Sequence, residues 1–276
     1  MNEVRQSSAK VFISSYNPAQ WSTPTSNTSL SVNIAPFVLN SKDTTHFVIG
    51  IECLSVPLAL YTVNDNNNTI IVTNPSVGSF TYTIPIGNYT AKTITDYLNS
   101  ITALTGITWV LDPITNKYVI TSVVTPIAFT GSATTLLGYV SSDTTIVIPP
   151  GGYTFPSTIN LTYTTGILIR LDNIQTENRD SETGSSSIIG RIPITVAPFK
   201  VLQYFNAQPF YTTINNRYIN NIKVSLLDDD YRPLVLVGNP QWNMTLRIDF
   251  ADKVQQAREQ KLIEAITTGN MLTNRK

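Results

Sequence analysis

Residues 220–250, NNIKVSLLDDDYRPLVLVGNPQWNMTLRIDF, carry the clearest period-two pattern in the chain. Trp242, Met244, Leu246, Ile248 and Phe250 fall on one parity. Asn243, Thr245, Arg247 and Asp249 fall on the other, as a strand with one wet face requires. The spacing predicts that Trp242, Leu246 and Ile248 face a core and that Thr245, Arg247 and Asp249 do not. Upstream, Ile222, Val224 and Leu226 alternate with Lys223 and Ser225, residues 228–233 break the pattern, and residues 234–237 resume it. The stretch reads as a strand, a tight acidic turn and two further strands, which is a β-hairpin signal.

The rest of the composition agrees with a β protein. At 276 residues the chain is one large domain or two, and a compact fold of that length buries about 75% of its unfolded surface without needing a covalent staple. Charged residues make up only 13%, with 18 basic against 18 acidic, so there is no electrostatic footprint for nucleic acid. Thr, Asn, Ser and Tyr supply the polar surface instead, a mix suited to half-buried strands and turns. The single cysteine, Cys53, excludes an internal disulfide and a cysteine-rich zinc site. It shares parity with Phe47, Ile49 and Ile51 and reads as a small core residue rather than a reactive thiol. Residues 1–10 are polar, so no secretory signal is expected. No run of eighteen apolar residues exists, so no membrane span is expected either. The expected setting is a reducing compartment, or a particle assembled in one. Triplets at Asn27, Asn67, Asn88, Asn160 and Asn243 match the glycosylation acceptor pattern, as chance alone produces in a chain this rich in Asn and Thr.

Along the chain, residues 1–9 read as a flexible arm. Strands are expected at 11–16, at 30–34 with Pro36 ending or bending the strand, and at 47–54 up to Pro57. The Asn-rich cluster at 64–68 marks a boundary. Beyond it, 70–73 and 80–84 form a hairpin-like pair. Ile94, Tyr97, Leu98 and Ile101 lie at helical spacing, with Thr90 or Thr93 as N-cap and Gly106 as the stop. Strands at 107–111 and 118–121 are joined by a turn at 112–117. Residues of about 64–156 thus read as a small α+β insertion, with 149–153 as its exit linker. The β texture returns at Ile167, Ile169 and Leu171, then at 188–196 and 200–205, for about eight to nine strands outside the insertion, the number of a jelly roll. The expected fold is mostly β: a jelly-roll sandwich from 10–63 and 157–250, the insertion at 64–156, and a weakly amphipathic helix over 251–266 within a tail reaching 276.

The residues offer little catalytic chemistry. His46 is the sole histidine and reads as a structural or surface residue, since no nucleophile-elbow pattern accompanies it. Asp228, Asp229 and Asp230 have the composition to hold a cation or act as paired carboxylates, but in a hairpin tip they read as a soluble turn. Acidic residues at 172, 177, 180 and 182 lack calcium-loop spacing and lie near arginines, so they read as a solvated loop. Gly151 and Gly152 precede no helix and are no phosphate loop. Tyr204, Phe205, Phe210 and Tyr211 flank Pro209, and both strand-edge packing and contact with a sugar or neighbouring subunit remain open for them. No catalytic, cofactor-binding or metal-binding residue is assigned.

Three local signatures carry a family resemblance. Residues 84–90, leading into the helix through Leu98 and Asn99, form the first. Residues 112–120 followed by Leu136, Leu137, Gly138 and Tyr139 form the second. The closing strands 222–227, 228–236 and 242–250, preceded by 190–193, form the third. Over most of 45–250 the chain resembles the penton, the vertex minor capsid protein, of polinton-like viruses and virophages. The family pattern often has glycine where this chain has Tyr231, and phenylalanine where it has Tyr139. The resemblance implies a single jelly roll with an insertion and five copies at each fivefold vertex of an icosahedral virion. It also implies contact with major capsid protein trimers and no enzymatic activity. The insertion would face outward, free to meet a host receptor. Rival expectations are a cement protein beneath the shell, a receptor- or carbohydrate-binding jelly-roll module, and a hydrolase with carboxylates gathered from separate strands.

Overall fold

A computed structural model describes residues 8–252, except 24–25, 39–43, 75–77, 104–105, 124–126, 140–145, 150, 177, 179–186, 215 and 217. In chain order its elements begin with β1 (Ser8–Ser14), β2 (Trp21–Thr23), β3 (Ser26–Val38) and β4 (Thr44–Pro57). Next come β5 (Thr69–Asn74), β6 (Gly78–Thr83), α1 (Ala91–Thr102), β7 (Ile107–Leu111), β8 (Tyr118–Ser122), β9 (Ile127–Thr130), β10 (Ile146–Ile148) and β11 (Tyr153–Thr154). The last are β12 (Gly166–Leu171), β13 (Ile188–Pro193), β14 (Val201–Phe205), β15 (Thr212–Ile214), β16 (Tyr218–Leu227) and β17 (Asn243–Asp252). They gather into two compact units: Met1–Leu58 with Gly166–Lys276, and Ala59–Thr165.

The first unit is a β-sandwich. One sheet runs β1-β17-β4-β14, with β15 also paired to β4, and the other runs β13-β12-β16-β3-β2. Without the short β2 and β15, this is the strand order of an eight-stranded jelly roll. Val11, Ile13, Phe47, Ile49, Met244, Leu246 and Ile248 are buried on the first sheet; Leu30, Ile167, Ile169, Ile222, Val224 and Leu226 are buried on the second. The sheets approach so closely at Gly190 that a Cβ there would stand 2.9 Å from Cδ1 of Ile51. Trp242 latches one end: its backbone N–H donates to Ser15 Oγ at 2.8 Å and its indole N–H to the Asn27 carbonyl at 2.9 Å.

The hairpin expected within 220–250 is reduced to a single antiparallel bridge, Leu227 with Pro233, beside which the Leu234 N–H donates to the Leu226 carbonyl at 3.0 Å. β16 pairs with β12 and β3, whereas β17 pairs with β1 and β4, so these successive strands lie in opposite sheets. Residues 234–237 form no strand. They belong to the connection that carries the chain between sheets, with Leu234 and Leu236 buried. Period-two alternation shows that a segment has two faces, and it is silent on which strand lies beside it.

A second departure comes from a bulge. Thr245 pairs with Cys53 but Leu246 pairs with Ile51, so Glu52 is an extra residue in β4. An extra residue reverses the parity beyond it. Ile51 and Leu54 point inward while Glu52 and Cys53 both lie on the outer face, so Cys53 is not the core residue its spacing suggested. Pro36 does not end β3. The strand continues to Val38, and the β16–β3 register slips between Ile219 and Asn221 opposite it. β17 reaches Asp252, so Ala251 and Asp252 are strand rather than the start of a helix. The arm at 1–7 and the tail from 253 lie outside the described residues.

In the second unit, β5 pairs with β6 and β7 with β8, as the sequence pattern predicts. Thr90 and Thr93 make a reciprocal capping box at the start of α1, and Ile94 and Leu98 bury its apolar stripe. Trp109 is the centre of the core, its ring 5.5 Å from that of Tyr118 and 5.4 Å from that of Phe129. Asn99 clamps helix to strand by accepting from the Trp109 N–H at 2.8 Å and donating to the Trp109 carbonyl at 2.9 Å. The unit does not end at the exit linker expected at 149–153: Tyr153 pairs with Ile120 and Thr154 with Val119, and the unit runs on to Thr165. Gly138, in the leucine-glycine-aromatic motif, has φ +98°, and a Cβ there would stand 2.3 Å from the Ser157 carbonyl oxygen.

Candidate functional site

The residues with catalytic potential are kept apart or already paired. His46 and Cys53 lie seven residues apart on one strand, roughly 23 Å at about 3.3 Å per residue, so they make no catalytic pair. In the acidic triplet, buried Asp228 accepts from the backbone N–H of Asp230 and Arg232 and from the Arg232 side chain. Asp230 pairs with Arg232, and Asp229 with Arg191. The triplet is therefore a turn braced by arginines. Within it Tyr231 holds φ +62°, the left-handed region that favours glycine. Asp172 pairs with Arg170 and accepts from the Ser225 hydroxyl; positions 177, 180 and 182 lie outside the described residues. Among the described residues no group of three or more His, Cys, Asp or Glu is placed to hold a metal ion. Gly151 and Gly152 both have positive φ and lead into β11, not a helix. Of the glycosylation-type triplets, Asn27 and Asn67 are buried. No described helix is long and apolar enough to cross a membrane.

What the sandwich does present is an aromatic outer face on the β1-β17-β4-β14 sheet. Phe12 pairs with Thr245, Thr245 with Cys53, and Cys53 with Phe205, so the four side chains form one row across the sheet. Phe12 is 77% exposed and Phe205 74%. Ser14, Asn243, Ser55 and Gln203 make the next row. In the other direction Lys10 lies opposite Arg247, a like-charge pair. Lys10 is neutralised by Glu52 at 2.6 Å and Arg247 by Asp249 at 3.1 Å. The segment 209–211 crosses over this charged row. A Cβ on Gly50 would meet Pro209 Cβ at 2.8 Å, and the Arg247 guanidinium lies 5.9 Å from the Tyr211 ring centre. Burial, then the Asp249 hydrogen bond, pushes the Tyr211 phenol up to about 12.

Of the four aromatics noted in the sequence, Phe205 and Phe210 are exposed, Tyr211 covers the charged row, and half-buried Tyr204 is on the inward parity of β14. Phe12 and Val201 belong to the same outer face and were not singled out in the sequence. The available signal for Phe12 is an aromatic on the wet parity of a strand.

No family model and no curated protein matches the sequence. The chain is similar to the mavirus penton protein. The identity is 11% and the TM-score 0.44, over 88% of this chain and 99% of that one. It is also similar to the D1–D3 domains of the flagellar cap protein FliD from Escherichia coli, with 14% identity and TM-score 0.18, over 94% and 74% of the two chains. Neither likeness is close enough to assign a role, and the fold stands on the strand order itself.

Proposed function

We propose that this chain is a structural subunit of an icosahedral viral capsid: a penton whose five copies close each fivefold vertex, with Ala59–Thr165 facing outward. The observation that supports it most is the eight-strand order β1-β17-β4-β14 against β3-β16-β12-β13, since double-sheet jelly rolls are recurrent capsid scaffolds. Lectins share that scaffold, and the sequence resemblance to pentons is what favours the capsid reading. A closed ring needs two different complementary flanks on each subunit, and the Phe12–Phe205 face is one exposed flank. The copy number five rests on the resemblance alone. In this reading the partners are further copies of the chain, the surrounding major capsid protein trimers and, through the outward unit, a host receptor; the role is performed in the virion and needs no catalysis.

The test is light scattering of the purified chain together with image reconstruction of particles containing it. Five copies around each fivefold axis are expected. A monomer beneath the shell, or a trimer between capsomers, would overturn the vertex role and leave the jelly roll standing.

A further inference from the structure

The outer sheet face has the dimensions of a helix seat. Phe12 on β1 and Phe205 on β14 are separated by three strand spacings, about 14 Å. Between them the floor is made of small side chains: Thr245 and Cys53 in one row, Asn243 and Ser55 in the next. An α-helix with its side chains is about 10–12 Å across, so one helix fits between the two aromatic walls along the strands. The neighbouring charges are matched, Lys10 with Glu52 and Arg247 with Asp249, so seating an apolar stripe there strips no unpaired charge of water.

We propose that this trough receives the C-terminal segment, residues 253–276, of a second copy of the chain. The inference rests on the self-assembly reading above and deepens it by naming a contact. Three observations select this occupant. The segment follows directly from β17, and the helix expected to end at Ile266 would span about 21 Å from residue 253. Its sequence is weakly amphipathic, with Val254, Ala257, Leu262 and Ile266 toward one side among Lys, Glu and Gln, a pattern compatible with a helix laid on a groove. The route from its own β17 is obstructed. Asp252 lies seven residues beyond Thr245, roughly 24 Å along the strand, and the 209–211 segment crosses Gly50 and Arg247 in between.

Cys53, the sole native thiol, sits on the trough floor and reports on the occupant. In the full-length chain, Leu262→Cys, Ile263→Cys and Ile266→Cys would be made singly and exposed to mild oxidation. Covalently linked multimers on a non-reducing gel are expected for at least one, and their loss is expected when Cys53→Ser is added. Phe12→Asp with Phe205→Asp should reduce the linked species while circular dichroism stays that of the parent. Thiol loss without a mass increase would mean that the chain's own segment fills the trough, and this would overturn the proposal. Light scattering of each sample separates the remaining outcomes. A ring with no Cys53-dependent linkage overturns the helix seat alone, whereas a monomer at all concentrations overturns both the seat and the penton reading.

Discussion

Cys53 stands directly opposite Thr245, and its thiol donates to the Thr245 hydroxyl at 3.1 Å. Thr245 is only 7% exposed, although it lies on the parity opposite to Met244, Leu246 and Ile248. The wet face of β17 is therefore not uniformly wet. Trp242→Ala should cost about 3–5 kcal/mol as a large core truncation. Thr245→Ala should cost about 0.5–1.5 kcal/mol, the worth of a lost partner, where a fully solvated position would cost nothing. Urea denaturation of the isolated chain measures both, and a silent Thr245→Ala would contradict the buried pairing.

Alkaline pH should weaken the fold. The phenols of Tyr118 and Tyr211 are both pushed up to about 12, chiefly by burial, whereas in the unfolded chain they titrate near about 10. The folded state keeps protons that the unfolded state releases, so this contribution is full below about pH 10 and is lost as pH rises through about 12. Denaturation midpoints should fall over that window, and Tyr118→Phe should flatten the decline. A midpoint that stays level up to about pH 12 would contradict the shifts.

The acidic turn should respond unequally to mutation. Asp228→Ala removes the acceptor of two backbone N–H groups and of Arg232 from a buried site, for a cost of about 1–3 kcal/mol. Asp230→Ala breaks an exposed ion pair and should stay within about 0.5 kcal/mol. Thermal unfolding distinguishes them. A stabilisation by millimolar calcium that depended on Asp228 would restore the cation reading of the triplet.

Replacing Ala59–Thr165 by a short Gly/Ser linker should leave a folded sandwich, because the unit has its own core around Trp109 and loop closure depends weakly on length. Size-exclusion and circular dichroism would read the result. Aggregated product would show that the two units fold only together.

Much of this protein was legible in its residues because short-range chemistry decided it. The β class, the inward set Trp242, Met244, Leu246 and Ile248, the capped helix at Thr90 and the 107–122 hairpin all follow from periodicities and turn residues only a few positions apart. Of the aromatic face, Phe205, Phe210 and Tyr211 stood out because they cluster around Pro209, whereas Phe12, about 190 residues away, could join them only through strand pairing. Tertiary structure alone decided that β16 and β17 separate into opposite sheets, that the bulge at Glu52 turns Cys53 outward, and that Thr245 is buried beside it. The physical reason is the same in each case. Alternation says which side chains share a face, but backbone hydrogen bonds to distant strands choose the neighbour and the register, and one extra residue in that register reverses every parity beyond it.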